Sequence, residues 1–223
     1  TSFLAEKFDT PPDQVRFIEG LAQVGEKSVP LGDIAREMIS SGQQPRVVYE
    51  YWAPPTQPLG SGGDMHFAYA FAAQAAQVEV NTLTGEVRVV RLISANDVGT
   101  VVNPLGLKGQ IEGGAMMGLG NALTEHFIVE QGMIFTDHLA RYRMPSIMHT
   151  PEIISLLVEH PTAQGPYGAK GCGEIVSIPT TPAITNGIFN AVGIRVDSLP
   201  VDQEEILRGI RALQASGETK HGI

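Results

Sequence analysis

Ala76-Gln77-Val78-Glu79-Val80, then Asn81-Thr82-Leu83-Thr84-Gly85, then Glu86-Val87-Arg88-Val89-Val90 is the stretch that decides the fold. Gln77 to Val80 alternates polar and apolar residues, the two-residue period of a half-buried strand. Asn81 to Gly85 is polar and ends in glycine, as a tight turn between strands requires. Glu86 to Ala95 is β-branched again. The pattern predicts an antiparallel hairpin with strands over 67–80 and 86–95.

Directly downstream, Asn103-Pro104 opens a helix. Asparagine is a good N-cap, and proline is tolerated at the first helical position. Leu107, Ile111, Ala115, Leu119 and Leu123 recur every fourth residue, predicting one long helix over 107–127. Gly109, Gly113, Gly114, Gly118 and Gly120 interrupt it. Each glycine costs up to about 1 kcal/mol relative to alanine. Close approach of another backbone or a flat ligand would account for so many.

Upstream, residues 2–8 carry a short helical pattern. Val15, Phe17, Leu21 and Val24 flank Glu19-Gly20 as a small hairpin. Leu31, Ile34, Ala35 and Met38 mark an amphipathic helix near Pro30. Arg46 to Ala53 is β-branched and aromatic and reads as a strand, and 54–64 as a loop. Downstream, Ile153 to Glu159 reads as a strand and Gly165 to Glu174 as a glycine-rich loop. Helices follow over 180–192 and after Asp202, the latter burying Ile206, Ile210 and Leu213. Residues 214–223 read as a frayed end. Strands and helices mix without a βαβ rhythm, so the fold class is α+β, with mixed or antiparallel sheets packed against helices. The expected domain is one unit over 1–223, or two subdomains, about 1–60 plus 150–223 and 61–149.

Hydrophobic residues make up 43% of the chain and charged residues 17%, enough apolar content for a core. A formal net charge of -9 argues against nucleic acid and anionic membranes as partners. No stretch is long and apolar enough to span a bilayer, and no secretory signal is visible. The chain opens at Thr1 inside a helical pattern with no clear cap, which reads as part of a longer protein. Cys172 is the single cysteine, so the chain holds neither an internal disulfide nor an iron–sulfur cluster. A reducing compartment, the cytoplasm, is the simplest location.

Nucleotide-binding motifs fail on order. A P-loop places Gly-Lys-Ser/Thr after Gly and four residues, whereas here Gly171 follows Lys170. The dinucleotide fingerprint Gly-x-Gly-x-x-Gly is reversed in Gly168, Gly171 and Gly173. His66, His126, His138, His149 and His160 fall at no helical metal spacing. Cys172 has no sequence-local base, and a partly buried thiol is its better reading.

What remains is a conjunction: Asn96-Asp97-Val98-Gly99 through Asn103-Pro104, Lys108-Gly109-Gln110-Ile111-Glu112-Gly113-Gly114, Gly118-Leu119-Gly120, and, about fifty residues later, Tyr167-Gly168-Ala169-Lys170-Gly171-Cys172-Gly173-Glu174. With the hairpin upstream, this order resembles the C-terminal part of the molybdopterin-binding catalytic subunit of the xanthine dehydrogenase/aldehyde oxidase family of molybdenum hydroxylases, from near residue 3 to about 213. The resemblance implies an oxidoreductase that inserts water-derived oxygen at an electron-poor carbon of an aldehyde or N-heterocycle. It makes Glu174 the catalytic base that deprotonates a metal-bound hydroxyl. A glutamate in an apolar, closed pocket would have its pKa raised toward the working pH. The alternative reading of Glu174 is an acid complementing a helix N-terminus.

By the same resemblance Gln110 contacts the pterin through its amide. Gly171, Cys172 and Gly173 offer backbone amides to it. Lys170 either neutralises cofactor charge or forms a surface salt bridge. No metal ligand is expected from the chain. The implied cofactors are molybdenum–molybdopterin, in its cytosine dinucleotide form, with iron–sulfur clusters and FAD on partner chains or domains. The implied partners are the remaining molybdopterin-binding portion, an iron–sulfur subunit, an FAD subunit and a small-molecule substrate, the complexes pairing as dimers. The family's further cofactor loops are absent here, so the chain alone is expected to be inactive. The competing hypothesis is a non-catalytic scaffold or assembly module, which would have no need to keep Glu174 and its glycine loop.

Overall fold

The structure is a computed structural model that describes residues 1–217. It divides into two compact units, Thr1–Trp52 and Ala53–Ile223. In the first, α1 (Ser2–Lys7), β1 (Val15–Ile18), β2 (Leu21–Val24), β3 (Lys27–Pro30) and α2 (Leu31–Ser40) follow in order. The three strands form an antiparallel sheet in sequence order. Glu19 and Gly20, with φ of 48° and 79°, make the tight turn that joins β1 to β2. Leu4, Ala5, Val15, Ala22, Val24 and Ile34 are its core.

The second unit contains β4 (Phe71–Val80), β5 (Val87–Asp97), α3 (Pro104–Leu123), β6 (Val129–Glu130), β7 (Met133–Ile134), α4 (Leu139–Tyr142), β8 (Glu152–Val158), α5 (Thr180–Val192) and α6 (Gln203–Ser216). Strands β4 and β5 form the expected antiparallel hairpin, with a bulge at Gln77/Val78. Asn81 Oδ1 accepts from Leu83 and Thr84 amides, and Gly85 sits at φ 76° to close the turn. Strand β8 pairs parallel to β5 on its other side, so the sheet order is β4-β5-β8. Helices α3, α5 and α6 bury Ala115, Leu119, Ile184, Ile188, Ile206 and Ile210 with Val89 and Leu92 of β5. This mixed sheet packed with helices is the α+β class. Among the described residues no helix is long and apolar enough to cross a membrane.

Four expectations are corrected. The strand over 46–53 does not form: those residues pair in no ladder and are largely exposed, Val47 by 91%. β-branched composition alone does not make a strand when no partner lies alongside. The grouping of 150–223 with 1–60 is not the division observed. Parallel pairing of β8 with β5, and packing of α5 on β4, tie 152–192 to the hairpin. Helix α3 stops at Leu123 rather than 127, because the Thr124 and Glu125 amides both turn back to the Gly120 carbonyl. The expected frayed end over 214–223 is helical to Ser216, and 218–223 lie outside the described residues.

Candidate functional site

The site is built where β5 ends. Asp97, at the last position of the strand, is 8% exposed. Its Oδ1 accepts from the Gly99 amide at 2.9 Å, and its Oδ2 accepts from Lys170 Nζ at 2.6 Å. The Lys170 and Asp97 side chains keep only 5% and 11% of their exposure. Burial pushes the Asp97 carboxyl up, but the hydrogen bonds from Lys170 and Gly99 and the Lys170 charge outweigh it and hold the group below its ordinary value. Lys170 also donates its amide to the Val98 carbonyl at 2.8 Å and lies 5.7 Å over the Phe71 ring. Gly99 adopts φ 70°, and a Cβ there would lie 2.1 Å from the Gly168 carbonyl. Only glycine lets the two loops approach so closely.

Beyond Lys170 the chain passes through Gly171, Cys172, Gly173 and Glu174 into a turn that ends at Thr180. Cys172 and Ile175 pack on a small cluster of Val98, Leu107, Ile111 and Val176. Leu107 and Ile111 bracket Gln110, so this loop lies against the first turns of α3. Gly114 and Gly118 make the contact possible: a Cβ at Gly114 would lie 2.0 Å from Val176 Cγ2, and one at Gly118 2.5 Å from Thr180 Cβ. Behind the loop, Gln74 donates to the Val176 carbonyl at 2.7 Å and to Ser94 Oγ at 2.9 Å, and accepts from Thr180 Oγ1 at 2.6 Å. Ser94, Asn96 and Thr180 are fully buried.

Each expected site residue thus has a place. Gln110 and Glu174 are both exposed, on elements that pack together. Contrary to expectation, their own unit does not enclose Glu174 in an apolar pocket. Two depressions of about 470 and 510 Å³ border α3, and neither Glu174 nor Gln110 lines them. Glu174 is not an acid at a helix N-terminus, because α5 begins at Thr180 with no acid in its first turn. Lys170 is not a surface salt bridge either: its charge is met inside the fold by Asp97. Among the described residues no group of three or more His, Cys, Asp or Glu is placed to hold a metal ion.

The loop and the exposed side of α3 leave hydrogen-bonding groups unengaged. The amides of Gly171, Cys172, Gly173 and Glu174 donate to no protein acceptor among the described residues, and the Gln110 side chain makes no hydrogen bond. Gly109, Gly113, Gly171 and Gly173 have open space where a Cβ would stand, at ordinary φ. The fold itself gives these four glycines no reason, whereas Gly99, Gly114 and Gly118 have one. Unengaged donors on a bare surface fit an anionic cofactor that approaches from outside the chain.

Sequence reasoning missed Gln74, Ser94 and Thr180, and gave Asp97 no role. A glutamine in the alanine-rich strand Phe71-Ala72-Ala73-Gln74-Ala75 was the one available signal.

A family model described as molybdopterin cofactor-binding domain matches residues 1–151; the Glu174 loop lies beyond that span. A probable xanthine dehydrogenase subunit from Bacillus subtilis is 40% identical over 70% of this chain and 21% of its own length. The solved aldehyde oxidoreductase from Desulfovibrio gigas matches with a TM-score of 0.62 and 32% identity, over 67% of this chain and 16% of that one. Reconstituted CO dehydrogenase from Oligotropha carboxidovorans matches in fold, with a TM-score of 0.72 at 21% identity over 96% of this chain and 27% of its own. The chain spans about a fifth of the length of the curated relatives it matches. Hairpin, glycine helix and family model agree, and the chain belongs to the molybdopterin cofactor-binding domain family of the xanthine dehydrogenase and aldehyde oxidoreductase molybdenum-binding subunits.

Proposed function

We propose that this chain is the C-terminal part of the catalytic subunit of a molybdenum-dependent hydroxylase, with Glu174 as its base. The substrate is an aldehyde or N-heterocycle with an electron-poor carbon. When bound, the molybdenum–pterin group supplies a Lewis acid and the acceptor for two electrons. The chain contributes contacts and a base. Gln110 donates and accepts at the pterin edge through its amide. Gly171, Cys172 and Gly173 donate their backbone amides to the cofactor, with no side chain in the way. Lys170 acts at one remove, through Asp97. A Glu174 carboxylate oxygen takes the proton from the water-derived hydroxyl that becomes the new oxygen of the product.

The observation that carries this reading is the run of unengaged amides from Gly171 to Glu174, on a loop that packs against the helix bearing the unengaged Gln110 side chain, with glycines the fold does not need. The cofactor is taken as the cytosine dinucleotide form. Electrons leave through iron–sulfur clusters and FAD on partner chains or domains, since the lone thiol Cys172 cannot hold a cluster. The relative from Bacillus subtilis is itself named as a subunit. That same unpaired thiol suits the cytoplasm, and dimers of complexes complete the proposal.

Glu174→Gln in the complete complex tests it. A general base contributes roughly 10²- to 10⁴-fold, so kcat is expected to fall by that factor while molybdenum content stays at the wild-type level. Unchanged turnover would favour the scaffold role.

A further inference from the structure

The segment that carries Glu174 is held at both ends by the β4–β5 hairpin, while Cys172 and Ile175 between them rest on the Val98, Leu107 and Ile111 cluster. At its start, Lys170 is fixed by the buried Asp97 and by the Val98 carbonyl. At its far end, Gln74 grips two groups at once, donating to the Val176 carbonyl and accepting from the Thr180 hydroxyl. Residues 171–175 span the gap. Just beyond it, the Ser177 amide and hydroxyl both donate back to the Glu174 carbonyl, at 3.0 and 2.8 Å.

The far anchor is not an economical way to fill a core. Gln74 faces Ser94 across the ladder, Ser94 Oγ also accepts from Asn96 Nδ2 at 2.9 Å, and Asn96 Oδ1 is buried with no partner among the described residues. A buried acceptor left unpaired is costly, and apolar residues of similar size would fill the space without it. A polar cluster kept under such a cost supplies direction rather than cohesion. What it directs is the Val176 carbonyl, two residues beyond Glu174.

We infer that Gln74 is a positioning residue for Glu174, setting the carboxylate by clamping Val176 and Thr180 against the end fixed at Lys170. The inference rests on the proposed role of Glu174 as base. Misplacement of a reacting group by about 1 Å costs on the order of 10²-fold.

A double-mutant cycle in the complete complex separates this from plain stabilisation. Gln74→Met, which removes both hydrogen bonds to the loop, together with the one to Ser94, at similar volume, is expected to lower kcat by roughly 10- to 100-fold, with KM and molybdenum content at wild-type levels. In a Glu174→Gln background the same substitution should cost less than about 3-fold, because the group it positions has gone. If Gln74→Met impairs assembly, Thr180→Val, which removes one hydroxyl, carries the same cycle. The inference is overturned if Gln74→Met leaves kcat unchanged, or if its full cost persists in the Glu174→Gln background. Full activity of Glu174→Gln alone would instead sink the base assignment.

Discussion

A charge is kept inside a protein only with its partner, and Asp97 and Lys170 are a measure of that rule at the residue scale. The pair pins two loops that lie far apart in sequence, and its pH dependence has a definite sign. An unfolded aspartate titrates near about 3.9. Burial pushes the native carboxyl up, but Lys170 and the Gly99 amide pull it further down, so its native pKa lies below the ordinary value. The native state therefore binds fewer protons here through the acid range. The stabilisation is complete above about pH 4 and is lost as pH falls through the native pKa. The urea midpoint of the wild type is expected to fall more steeply than that of Asp97→Asn between roughly pH 5 and 3; parallel curves would show that the pair does not couple to folding. Both residues stand in motifs legible in the sequence, yet 73 positions separate them, and local spacing carries no record of a partnership at that distance. Gln74 was harder still to find, since its partners on the loop lie 102 and 106 residues away.

At the scale of elements, helix α3 separates two kinds of glycine that the sequence cannot tell apart. Gly118 is buried where a Cβ would lie 2.5 Å from Thr180 Cβ and 2.7 Å from the Ser177 carbonyl. Gly113 is exposed with nothing within reach. Alanine should therefore act with opposite sign at the two. Gly118→Ala is expected to lower stability by about 1–3 kcal/mol through overpacking. Gly113→Ala should raise it by up to about 1 kcal/mol through helix propensity. Thermal unfolding of the chain measures both, and a gain at Gly118 would contradict the packing described. In the complete complex Gly113→Ala should lower molybdenum content if this face meets the cofactor. Elements fixed by local punctuation were legible: the Asn81–Gly85 turn, the Asn103 cap with Pro104, and the Asp202 cap. Elements that depend on a distant partner were not, which is why 46–53 read as a strand it does not form and the parallel seat of β8 on β5 went unseen.

At the scale of the whole molecule, several large apolar side chains stand exposed among the described residues. Val47 and Trp52 are 91% and 78% exposed, and Leu139, Ile147 and Met148 are 70%, 87% and 88% exposed. The proposed site is exposed as well, with Gly171, Gly173 and Glu174 open on the wall formed by their loop. Catalysis of this kind needs water excluded and the reacting carbon held within about 3–3.5 Å of its partner. One wall does neither. The isolated 223-residue chain, supplied with reconstituted cofactor, is therefore expected to show no hydroxylation above background and to bind a hydrophobic dye strongly. Co-expression with the remaining portion of the subunit should restore turnover and suppress dye binding together. Turnover by the chain alone would mean that these residues close a site around the cofactor without help, and the one-walled reading of Glu174 would have to be abandoned.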